Sequence, residues 1–83
     1  MHLNGVQVAW QKYGAGRDTG VRAYALLPEA IALKFSDGSV YLYDAVAPGR
    51  VHVRAMQRLA ERGSGLTTYV NQFVRERYAG RVA

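Results

Sequence analysis

The chain changes its apolar period at Pro48. Ahead of that residue apolar side chains alternate with polar or small ones, and beyond it they recur at intervals of three and four. A period of two belongs to a half-buried strand, and the longer spacing belongs to one face of an amphipathic helix. Both in one chain, in that order, predict an α+β fold: an antiparallel β-meander followed by two helices packed on one sheet face. At 83 residues, the chain is read as a single domain, 1–83, with room for one core.

In the first half, Val6, Val8 and Trp10 alternate as a strand does, and a glycine-rich connection runs from Gly14 to Gly20. Val21 to Leu27 is an apolar run that Pro28-Glu29 breaks as a turn, and Ile31, Leu33 and Phe35 alternate again. Ser36-Asp37-Gly38-Ser39 joins that run to Val40-Tyr41-Leu42-Tyr43, and Asp-Gly between two such runs is a strong hairpin signal. Strands are expected near 22–27, 30–36 and 39–44, with residues 1–21 as an extension that adds a further strand.

The hairpin register decides where the tyrosines point. A two-residue Asp37-Gly38 turn pairs Phe35 with Val40 and turns Tyr41 and Tyr43 away from Leu33 and Phe35. A type I turn with a bulge at Gly38 pairs Phe35 with Ser39 and puts both tyrosines on the core face with Leu33. The bulged register is expected, because so short a domain needs those rings in its core. Were they exposed instead, the pair could stack bases.

In the second half, His52, Ala55, Met56, Leu59 and Ala60 share one helical face, and Arg50, Arg54 and Arg58 lie opposite. Gly63 suits the left-handed position past a helix end. A second helix, capped by Thr67 or Thr68, is carried by Leu66, Tyr69, Val70, Phe73 and Val74 and ends at Gly80. The expected spans are 49–62 and 67–79.

Composition excludes several classes. The longest apolar run is Ala23 to Leu27, far short of the roughly 20 residues that span a bilayer, so no membrane association is expected. No basic start leads into an apolar stretch, and a cytoplasmic protein is expected. The absence of cysteine removes disulfides, thiolate catalysis and thiolate metal sites. Gly14, Gly16 and Gly20 lack the following Lys-Ser/Thr of a phosphate loop. His52 and the terminal His2 form no ligand set, and no serine or carboxylate pair has an oriented base. No enzyme, metal or cofactor is expected.

Net charge is +5, and nine of the eleven basic residues are arginine. Residues 41–83 hold seven arginines against Asp44, Glu61 and Glu76, so positive charge concentrates there. Arginine's planar fork suits phosphate and stacks on bases. Arg62, at the end of the first helix, and Arg75, Arg77 and Arg81, at the end of the second, are explained by the helix dipole, and the Arg77 stem can pack on the apolar face. Arg50, Arg54 and Arg58 are not so explained: their like charges repel at i, i+4 and i+8, and Arg50 stands at the positive helix end. These three, with Lys34, are the candidate nucleic-acid contacts.

From the hairpin onward the chain resembles the KTSC domain, named for the C-terminal region of some lysyl-tRNA synthetases. The matching features are Leu33-Lys34-Phe35, the turn Asp37-Gly38-Ser39, Tyr41-Leu42-Tyr43, Val46 with Pro48, and the final Asn71, Val74, Arg75, Arg77 and Tyr78. The likeness covers about residues 22–81. Ser64-Gly65 stands where the family has Ser-x-Gly at a different spacing, and no role is carried onto it. The resemblance implies Tyr41, Tyr43, Asn71, Arg75, Arg77 and Tyr78 as family positions, and the synthetase context implies RNA binding. The expected function is non-catalytic binding of RNA or other nucleic acid through a basic helix face; the alternative is a protein-interaction module, since arginine and tyrosine also dominate protein interfaces.

Overall fold

A computed structural model describes residues 2–3, 6–14 and 20–82, with side chains from Val8 onward. The glycine-rich connection read between Gly14 and Gly20 therefore lies mostly outside the described residues.

The strands are β1 (His2–Leu3), β2 (Val6–Gln7), β3 (Gln11–Lys12), β4 (Val21–Leu27), β5 (Ala30–Phe35) and β6 (Val40–Asp44), followed by α1 (Arg50–Arg62), α2 (Leu66–Tyr69) and β7 (Gly80–Arg81). Two sheets form: the β1–β2 hairpin, and an antiparallel sheet in the order β3-β4-β5-β6-β7. Three elements depart from expectation. The N-terminal alternation yields β2 and then an irregular Val8–Trp10 stretch, and the strand that joins the main sheet is β3, paired with Tyr24 and Ala23. The second helix leaves α-helical pairing at Val70, runs through a wider π turn to Val74 and stops short of residue 79. Gly80 and Arg81 then form β7 against Leu42 and Tyr41, where a helix end was expected. Residues 75–79 are good helix formers; what overrides them is pairing, as Ala79 and Val82 donate to the Leu42 and Val40 carbonyls at 2.7 Å each.

The β4–β5 connection is the two-residue Pro28-Glu29 turn, with Glu29 at φ 55° as the third position of a type II turn requires. The β5–β6 connection is the bulged register. Gly38 N–H donates to the Phe35 carbonyl at 2.9 Å, Gly38 sits at φ 89°, and Phe35 N–H donates to Ser39. Leu33 therefore faces Tyr41 and Ile31 faces Tyr43 across the strands.

Two apolar layers result. On one face Tyr24, Ile31, Leu33 and Tyr43 pack against Val53, Met56 and Ala60 of α1 and Leu66, Val70 and Val74 of the second helix. Both helices cover this face, as expected. On the other face Ala25, Leu27, Ala30, Ala32 and Leu42 are covered by Val8 and Trp10. Alanine at three of those positions lets the N-terminal segment lie close to the sheet.

Candidate nucleic-acid interface and a tyrosine-lined cleft

Burying Val53, Met56 and Ala60 turns Arg50, Arg54 and Arg58 outward, and all three are exposed. Gly49 gives α1 no side-chain cap, and its first turn holds no acidic residue. Glu29 supplies the missing carboxylate from the β4–β5 turn, meeting Arg50 Nη2 at 2.7 Å. The anion lies where the helix dipole favours it, and it relieves the misplaced cation. Gln57 fixes the helix to the same turn by donating to the Leu27 and Ala30 carbonyls at 3.2 and 3.0 Å. Arg54 and Arg58 have no ion pair among the described residues. Lys34 does not join them. Strand alternation places it opposite Leu33 and Phe35, on the sheet face that α1 does not cover.

The family positions converge instead at the other end of the sheet. A cleft of about 400 Å³ opens between the β5–β6 turn and the end of the second helix, lined among others by Tyr41, Tyr43, Asn71, Arg75 and Tyr78. Its floor is a chain of ring contacts. Phe35 meets Tyr41 edge-on at 5.8 Å between centroids, Tyr41 meets Tyr78 tilted at 4.4 Å, and Tyr78 meets Tyr43 edge-on at 6.3 Å. Tyr43 is fully buried, while Phe35, Tyr41 and Tyr78 are half-buried. The Tyr43 hydroxyl donates to the Arg75 carbonyl at 3.3 Å. Burial, and after it the neighbouring Tyr41 and Tyr78, push its phenol up to about 12.

The rim is charged. Asp37 Oδ1 accepts from the Ser39 hydroxyl at 2.5 Å and the Ser39 amide at 2.9 Å. The hydroxyl first, and then the amide, hold the carboxyl below its ordinary value. Arg75 Nη1 donates to Asn71 Oδ1 at 3.0 Å, and the Arg81 guanidinium lies 5.8 Å from the Tyr41 centroid. Arg81 does so from β7, which corrects its expected place at a helix end. Arg77 is exposed in the turn after the helix, so its stem does not pack on the apolar face, and it does not line the cleft.

Phe35, Asp37 and Glu76 also line the cleft and were not read as site residues. The signal for Asp37 was its place in a bulged turn whose register aims the two tyrosines at the helices. Of the two histidines, His52 contacts the Tyr69 hydroxyl through Nδ1 at 2.7 Å. No group of three metal-binding side chains stands together among the described residues, and no described helix is long and apolar enough to cross a membrane. No protein-family model, curated protein or solved structure matches the chain.

Proposed function

We propose that this is a KTSC-like, non-catalytic domain that binds RNA or another nucleic acid through the exposed face of α1. The observation that carries the reading is the state of Arg54 and Arg58: adjacent turns of one helix present two guanidinium groups with no acidic partner among the described residues. Like charges at i and i+4 cost helix stability, and a phosphate backbone offsets that repulsion by releasing its counterions. A net charge of +5 supports the same partner through long-range attraction.

A titration against single-stranded RNA and DNA at two salt concentrations tests it. Binding is expected to weaken with salt and to fall sharply when Arg50, Arg54 and Arg58 are all replaced by glutamine, with folding intact. Salt-independent binding, or full affinity in the triple variant, would remove the basis for this helix face. The protein-interaction reading has its own observation: Val46 and Val51, 91% and 79% exposed, stand before and within the first turn of α1. A protein partner seated there predicts that Val51→Ser weakens association more than Arg54→Gln does.

A further inference from the structure

We propose that the tyrosine-lined cleft is a nucleotide site that takes guanine, with the base on the aromatic floor and the phosphate at Arg75. The site does not rest on the reading of α1. Gln57 and Arg50 hold that helix to the β4–β5 turn, whereas the cleft opens at the β5–β6 turn, the opposite end of the strands.

Size, floor and rim each restrict the occupant. About 400 Å³ is a small-molecule volume, inside the roughly 300–1,000 Å³ of ligand pockets. Phe35, Tyr41 and Tyr78 line the cleft and are only half-buried, so aromatic side chains are at hand there for a flat heterocycle. The rim carries both signs, with Asp37 and Glu76 against Arg75. A purely cationic or purely anionic ligand would match only half of it. The occupant is therefore flat and aromatic, with N–H donors for the carboxylates and a phosphate for Arg75.

The rim then selects among bases. Asp37 Oδ1 accepts from Ser39, and the carboxylates of Asp37 and Glu76, which accept and do not donate, both line the cleft. Acceptors call for a base edge rich in N–H donors. Guanine presents an imino and an amino N–H side by side, whereas uracil offers a single N–H flanked by two carbonyls that repel a carboxylate. Arg75 spends one nitrogen on Asn71 and keeps further donors for a phosphate. The same chemistry serves a free nucleotide or a guanosine at the end of a strand.

Calorimetric titration with GMP, UMP, an oligoguanylate and N-acetyl-argininamide tests the assignment. GMP is expected to bind about tenfold more tightly than UMP. Asp37→Asn preserves the oxygen that Ser39 uses but turns the other acceptor into a donor, so it should erase that preference. Arg75→Gln should weaken GMP while leaving guanosine unchanged. An Arg54→Gln/Arg58→Gln double variant should bind GMP as before, which separates this site from the α1 reading. Equal affinity for GMP and oligoguanylate assigns the cleft to free nucleotides, and tighter oligomer binding that Asp37→Asn weakens assigns it to a strand. No GMP binding at millimolar concentration, a preference that survives Asp37→Asn, or binding of argininamide instead of GMP overturns the proposal.

Discussion

The Tyr13 hydroxyl accepts a 2.8 Å hydrogen bond from the Leu66 amide, 53 residues away, and so caps the first turn of α2 from the N-terminal extension. Gly65 offers that helix no side-chain cap, and Thr67, expected to cap it, accepts from Val21 N–H at 3.3 Å instead. An amide that loses its buried partner costs roughly 1–3 kcal/mol. Tyr13→Phe is therefore expected to lower unfolding free energy by about 1–2 kcal/mol, measured by urea denaturation. Thr68→Ala, at an exposed position, should change it by only a few tenths of a kcal/mol. Equal effects would remove the cap from Tyr13.

Tyr43 links stability to alkaline pH. Its phenol titrates at about 12 in the fold against 10.0 when unperturbed, so the fold holds the proton more tightly than the unfolded chain does. The contribution is fully present below pH 10 and is lost as pH rises through about 12. Wild-type protein should lose stability across that window, and Tyr43→Phe should lose less. Absorbance titration should show one tyrosine ionising together with unfolding.

Asp37 acts in the opposite direction. Ser39 holds its carboxyl below the ordinary 3.8, so its contribution is present above that pH and is lost as pH falls below it. The acid limb of the stability curve should flatten in Ser39→Ala and in Asp37→Asn. A limb that stays as steep in both variants would assign acid sensitivity to other carboxyl groups.

The three arginines of α1 should not be equivalent. Arg50 is already matched by Glu29, with the two side chains 58% and 57% exposed, so the pair contributes less than about 1 kcal/mol. Glu29→Gln should barely change the melting temperature. In nucleic-acid titrations Arg54→Gln and Arg58→Gln should each lower the salt slope by about one unit. Arg50→Gln should lower it less, and Glu29→Gln should restore Arg50 to parity.

The order of strands and helices, the Pro28-Glu29 turn, the bulge at Gly38 and the outward Arg50, Arg54 and Arg58 were all legible in the sequence. Each depends on residues within a few positions of one another: alternation, a turn residue able to adopt positive φ, a 3.6-residue period. Tertiary structure decided the rest. Pairing with β6 made Gly80 and Arg81 a strand where the stop of a helix was expected, and Tyr13 displaced the threonines as cap. The turn across the sheet gave Arg50 a carboxylate, and strand parity left Lys34 on the far face. The cleft belongs to this second group, because Asp37, Tyr41, Arg75 and Tyr78 meet only when the hairpin and the second helix pack together. Local pattern sets what each segment prefers; contacts between segments distant in the chain decide which preferences yield, since a backbone group left unpaired beside the core costs more than one residue's helix propensity supplies.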